Sequence, residues 1–187
     1  MKKLLLFLIL LIPTVGFSQL TTTNPDTVCY QTPGSIYQVP NTVGYTYNWV
    51  VTPPGVITAG QGSNQIDVDW STAAPGTIVN GVSVTATDAN GCTSAPVLLD
   101  IFIYQIIPTI TAIGPFCEGT PCVNLTGTPA GGTFSGTGVV GNQFCSVNAG
   151  PGTHTITYSV TSNGCTFSTT TTVTVNPTPV LTPIQHN

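Results

Sequence analysis

The sequence predicts an all-β fold: two tandem antiparallel β-sandwiches that follow a signal peptide. Three observations carry this reading. Apolar residues alternate with Thr, Ser and Asp along several stretches, the period of a half-buried strand. Gly (20) and Pro (16) are frequent while Lys, Glu and Met are nearly missing, a composition that favours turns over long helices. One turn-plus-cysteine pattern occurs twice, as Asn90-Gly91-Cys92 and as Asn163-Gly164-Cys165, each time between strand-like stretches.

In chain order, Lys2-Lys3 opens an apolar run, Leu4 to Ile12, followed by Pro13-Thr14-Val15-Gly16-Phe17-Ser18. A charged start, a short apolar centre and small residues before a cut describe a secretory signal peptide, here residues 1–18. The run is well short of the roughly 20 residues that span a bilayer, and no cysteine stands near the cut for lipid attachment. An exported chain with no membrane span in its mature part is expected. Lys2 and Lys3 are also the only Lys or Arg of the chain, against six carboxylates at Asp26, Asp67, Asp69, Asp88, Asp100 and Glu118. Phosphate clamps, nucleic-acid grooves and arginine-assisted catalysis all need cations that the mature chain lacks. No nucleic-acid partner is expected, and trypsin has no site beyond Lys3.

The first unit is placed at 19–105. Tyr45, Tyr47 and Trp49 share one face of a strand. Such a ladder is either a carbohydrate platform or part of a sandwich core, and a mid-strand Trp more often packs a core; the same two readings apply to Trp70. Ile66, Val68 and Trp70 then alternate with Asp67 and Asp69, and Val82, Val84 and Ala86 with Ser83, Thr85 and Thr87. Asn90-Gly91 predicts a type I′ hairpin turn, in which both central residues take φ > 0.

The second unit is placed at 106–177. Ile156, Tyr158 and Val160 alternate with Thr157 and Ser159, while Phe167, Val173 and Val175 oppose a row of Thr. Thr keeps strand propensity on a wet face without adding charge. Asn163-Gly164 repeats the hairpin signal, and the two units read as an internal duplication.

Six cysteines in an exported chain point to disulfides. Zinc is the competing reading, but neither His154 nor His186 stands at finger-like spacing from Cys117 and Cys122, and paired C-x-x-C knuckles are missing. Each Asn-Gly-Cys has an earlier cysteine near the start of its unit. The repeat therefore suggests Cys29–Cys92 and Cys117–Cys165, leaving Cys122–Cys145 as a further bridge in the second unit; the other pairings stay open. Closing a loop of about 60 residues stabilises by roughly 4 kcal/mol in the chain-entropy model.

Two groups of residues carry a family resemblance. Tyr45-Thr46-Tyr47-Asn48-Trp49, Pro53-Pro54-Gly55, Gly60 to Ile66 and Asn90-Gly91-Cys92 resemble PKD-like modules. Cys117-Glu118-Gly119, Gly127 to Gly136, Gly150 to Tyr158 and Asn163-Gly164-Cys165 resemble bacterial Ig-like repeats. The resemblance implies tandem modules of large surface and adhesin-like proteins of gliding bacteria, commonly exported by the type IX route. It also implies a cell-surface or secreted location, with other surface repeats, extracellular proteins or glycans as partners. A C-terminal sorting domain is not seen. Pro179-Val180-Leu181-Thr182-Pro183-Ile184 instead echoes Pro108-Thr109-Ile110-Thr111-Ala112-Ile113. The segment 178–187 thus reads as the start of a further repeat, and the chain as a piece of a longer repeat protein.

Catalytic chemistry is not expected. His154 and His186 are the only histidines and no G-x-S-x-G occurs. Asp67 and Asp69 share the wet face of one strand, and Asp88 sits in a turn. These three are weak calcium candidates, set against solubility, protection of a strand from edge pairing and turn capping as ordinary roles. No cofactor is expected. Asn124-Leu125-Thr126 fits an N-glycosylation pattern, which bacterial export makes idle. Asp26-Thr27-Val28 resembles the O-glycosylation acceptor of such bacteria, with Thr27 as the modified residue. The function expected is a non-catalytic extracellular structural or adhesion repeat module; the alternative is a carbohydrate-binding module using exposed aromatics.

Overall fold

The computed structural model describes residues 25–184 and 186. The expected signal peptide, residues 1–18, lies outside the described residues.

Seven strands build the first sandwich: β1 (Asp26–Cys29), β2 (Ser35–Gln38), β3 (Thr46–Val51), β4 (Val56–Ala59), β5 (Gln65–Asp69), β6 (Gly76–Thr87) and β7 (Val97–Tyr104). One sheet has the order β1-β7-β6-β3 and the other β2-β5-β4. The alternation read in the sequence decides which face is inside. Tyr47, Trp49, Ile66, Val68, Trp70, Val82 and Val84 all point into one core, joined by Val28, Tyr37, Ile101 and Ile103. Trp70 is completely buried, and its indole Nε1–H donates to the Tyr37 hydroxyl at 3.0 Å. Burial, reinforced by Asp26, holds the Tyr37 phenol well above the usual tyrosine range.

The second sandwich follows: β8 (Thr109–Ile110), β9 (Phe116–Cys117), β10 (Val123–Asn124), β11 (Gly127–Thr128), β12 (Thr133–Gly136), β13 (Val139–Val140), β14 (Gln143–Phe144), the one-turn helix α1 (Ser146–Ala149), β15 (Gly152–Ser162) and β16 (Cys165–Asn176). Its main sheet runs β12-β15-β16-β9, faced by β10-β14-β13 and the small pair β11-β8. Leu125, Phe144, Ile156, Val173 and Val175 form its core. The Tyr158 ring lies against Gly127 and Gly132, where a Cβ would have no room. Its hydroxyl donates to Pro129 O at 2.6 Å and accepts from Gly132 N–H at 2.9 Å. The Gly-Thr-Pro-Ala-Gly-Gly run is thus folded onto one tyrosine.

The two hairpins differ although their sequences repeat. Asn163 and Gly164 both take positive φ (50° and 77°), the geometry expected of a type I′ turn. In the first unit only Gly91 does (85°). There the Asp88 carboxylate accepts the amides of Asn90 (2.9 Å) and Cys92 (2.8 Å), and this side-chain turn displaces the type I′ form.

Neither sandwich is purely antiparallel. In each, the strand that carries the early cysteine runs parallel to the last: β1 pairs β7 with Cys29 opposite Tyr104, and β9 pairs β16 with Cys117 opposite Asn176. This detail overturns two expected disulfides. Cys29 lies at the far end of β7, whereas Cys92 precedes the start of that strand. Seven residue steps at about 3.3 Å separate the two ends by more than 20 Å. Bridged cysteines need Cα atoms within roughly 7 Å, so Cys29–Cys92 does not form. The same argument along β16, from Cys165 to Asn176, removes Cys117–Cys165. Cys29 is instead bonded to Cys165 across 136 residues, with the Cα atoms 5.5 Å apart. Cys122 is bonded to Cys145. Cys92 and Cys117 are free and exposed.

Candidate functional site: the junction between the sandwiches

The sequence places one cysteine at each end of each sandwich, and the fold brings two of them together. β7 delivers Tyr104 to the end of the first sandwich, with Cys29 beside it on β1. The β15–β16 hairpin delivers Ser162 and Cys165 from the second. The Tyr104 hydroxyl donates to Ser162 Oγ at 3.1 Å. Its ring meets Phe167 edge-on with centroids 6.1 Å apart, and Phe102 lies tilted against the same ring, also at 6.1 Å. The linker Gln105-Ile106-Ile107-Pro108 closes the joint, bordering a shallow depression of about 240 Å³ with Tyr30, Gln31 and Phe167. Covalent bond, linker and aromatic contact together fix the two units to each other. Sequence reading found Cys29 and Cys165 but not their partnership, and it did not foresee that Tyr104, Ser162 and Phe167 would meet at the junction. Their signal was present: each is within three residues of a strand end that the cysteines mark.

The carboxylates singled out in the sequence have local duties. Asp69 Oδ1 accepts Ser71 N–H at 2.7 Å, and that bond holds its carboxyl below the usual range. Asp67 and Asp69 lie on the outer face of β5 as expected, and one Asp67 oxygen is buried without a partner. Among the described residues no group of three His, Cys, Asp or Glu could hold a metal ion. Asp88 is held below the usual carboxylate range chiefly by the Cys92 amide; desolvation opposes this, and Asn90 and the Gly91 amide add to the lowering. Its lowered folded pKa means that its stabilising effect is full above the unfolded value near 3.9. That effect is lost as pH falls through the folded value. Asp88→Asn is therefore expected to lower the melting temperature at pH 7, by an amount that shrinks as pH falls below the unfolded value near 3.9, read by circular dichroism.

The remaining candidates are scattered. His154 Nε2–H donates to Gly150 O at 2.8 Å, a bond that fixes the chain entering β15. His186 is exposed in the tail and Thr27 is exposed on β1. Asn124 Oδ1 accepts from Gln143 Nε2 at 2.9 Å. Of the four aromatic residues considered for a sugar platform, Tyr47, Trp49 and Trp70 are in the core and only Tyr45 is exposed, at 44 %. Tyr45 borders a shallow depression of about 250 Å³ with Val39, Pro40, Thr42 and Val97. One ring cannot make the stacked surface that the ladder promised.

The first sandwich, with its buried tryptophans and its Asp88 turn, has counterparts among known sequences. Residues 17–99 match the family model of the PKD-like domain. The PKD-like unit is thus also the one whose motifs carried that resemblance. No curated protein matches the chain in sequence. Solved structures similar to it include the fibronectin(III)-like modules of Clostridium thermocellum CbhA, at 12% identity, TM-score 0.38, covering 91% of this chain and 98% of that one. Others are the titin domains z1z2 in complex with telethonin (15%, TM-score 0.31, covering 83% and 93%) and the Sidekick-1 immunoglobulin domains 1–5 (14%, TM-score 0.36, covering 81% and 37%). Among the described residues, no helix is long and apolar enough to cross a membrane.

Proposed function

We propose that this chain is a non-catalytic extracellular structural module, a strut within an adhesive bacterial surface protein. The observation that carries this reading is the Cys29–Cys165 bond, which ties the first strand of the PKD-like unit to the last hairpin of the Ig-like one. A joint closed by linker, aromatic packing and a covalent bond holds two modules at a fixed angle. An enzyme cleft or a flexible tether would need neither. Disulfides belong to an oxidising compartment, in keeping with export by the leader at 1–18 and with the surface proteins of gliding bacteria that the motifs resemble. Its partners on this reading are neighbouring surface repeats and extracellular proteins or glycans.

The reading is tested by cutting the linker. A protease site inserted between Gln105 and Pro108 and then cleaved should leave the two halves migrating together without reductant. They should separate once a thiol reductant is added. Separation before reduction would mean that the joint is a tether, and the strut reading would fall.

A further inference from the structure

Cys92 and Cys117 are the free counterparts of the two bonded junction cysteines. Cys117 ends β9 opposite Asn176 just as Cys29 ends β1 opposite Tyr104. The next amide pairs with the last strand in both units: Tyr30 N–H donates to Tyr104 O (2.9 Å), and Glu118 N–H to Asn176 O (2.8 Å). The turn that follows is also shared. Thr32 N–H returns to Cys29 O (3.1 Å) over Gln31 at φ 63°, and Thr120 N–H to Cys117 O (3.2 Å) over Gly119 at φ 83°. At the opposite pole, Cys92 matches Cys165. Each lies in a hairpin clasped by a threonine pair, Thr87–Thr93 or Thr161–Thr166, with the hydroxyls 2.9 Å apart in both. The loop around Cys92 is one residue longer.

One chain therefore carries the cysteine-bearing turn and hairpin of the junction a second time, at the two poles away from it. Both thiols are exposed. We infer that these poles dock head to tail, Cys117 of one copy of this chain bonding Cys92 of the next. Because the two surfaces differ and lie at opposite poles, the contact is heterologous and extends into an open filament rather than closing as a dimer. At this joint Asn176 and Ser94 stand where Tyr104 and Phe167 meet in the internal one. The contact between copies is thus polar and depends on its covalent bond, which makes the filament reducible.

The oxidant is a small disulfide such as oxidised glutathione. One protein thiolate attacks it and releases one glutathione, leaving a mixed disulfide. The second protein thiolate attacks the protein sulfur of that mixed disulfide and releases the other glutathione. Two thiols become one protein disulfide, and the two electrons and two protons leave on two glutathione molecules. The inference goes beyond the proposed function and does not depend on what the module adheres to.

The test uses the oxidised chain with Cys29–Cys165 and Cys122–Cys145 already formed, incubated with oxidised glutathione over a range of protein concentrations. Non-reducing electrophoresis should show a ladder that deepens with concentration, and peptide mapping should find Cys92 joined to Cys117 between copies. Cys92→Ser and Cys117→Ser should each abolish the ladder while keeping the parent's near-ultraviolet circular dichroism, since both sites are exposed. Cys92–Cys92 or Cys117–Cys117 dimers, a Cys92–Cys117 bond inside one chain, or monomers merely capped by glutathione would each overturn the inference. So would a full ladder from either single variant.

Discussion

Trp70→Ala is expected to remove about 3–5 kcal/mol from the first sandwich, the usual cost of deleting a buried large aromatic. Trp70 has no exposed surface, and it lies in a cluster with Tyr37, Ile66, Val68 and Ala73. It also donates to the Tyr37 hydroxyl, so the truncation leaves a buried phenol oxygen without that donor. A loss of this size rivals the whole stability of a small domain. The second sandwich has a core of its own, with no residue of the first in it. Its transition should therefore stay in place while that of the first moves to much lower denaturant. The chain offers a clean readout, because both tryptophans, Trp49 and Trp70, belong to the first unit. In Trp70→Ala the fluorescence of Trp49 follows that unit alone, while far-ultraviolet circular dichroism follows both. Trp70→Phe, which keeps most of the volume and removes the donor, should cost about 1–2 kcal/mol. A single transition shifting equally in both signals would show that the two cores do not melt separately.

The strands were legible because their alternation is regular and their wet face is almost free of charge. Residues 65–69, 82–87, 152–162 and 165–176 are strands whose buried parity was plain in the sequence. The disulfides were not legible for a topological reason. A duplication says which cysteines are equivalent, but not at which pole each one emerges. That depends on whether the strand bearing the early cysteine lies parallel or antiparallel to the last, and a two-residue period is the same for both. Asn80-Gly81 shows a second limit. It carries the hairpin dipeptide, yet it sits inside β6, where Asn80 takes φ 51° and its amide donates to Asp100 Oδ1 at 2.7 Å. Gly81 there packs against Ile101, leaving no room for a Cβ. The result is a bulge rather than a turn. A buried carboxylate on the neighbouring strand decided the outcome, and no local pattern reports such a partner. The aromatic ladder was ambiguous for a similar reason: parity places Tyr45, Tyr47 and Trp49 on one side, but only the facing sheet makes that side the interior.

Pulled from its two ends, the oxidised chain is expected to extend very little, because the force bypasses almost all of both sandwiches. Tension entering before β1 reaches Cys29, crosses the disulfide to Cys165 and leaves along β16. The 136-residue stretch between the two cysteines is out of the load path. At about 3.4 Å per extended residue, that stretch would otherwise contribute about 460 Å. In a single-molecule pulling experiment, a reductant should restore that full length. Cys29→Ser without reductant should restore only about 380 Å, because Cys122–Cys145 still locks 23 residues. Equilibrium stability should fall in the same variant, by up to about 5 kcal/mol in the chain-entropy model for a loop of this size. Several hundred ångströms of extension from the oxidised parent would overturn the covalent load path. The distinction bears on how two joined sandwiches withstand shear. Sheets alone resist force only until their hydrogen bonds shear apart, whereas this arrangement leaves just β1 and β16 exposed to it. In a head-to-tail filament the load would instead enter at Cys92 and leave at Cys117, at opposite poles, so it would cross both sandwiches and the Cys29–Cys165 joint between them.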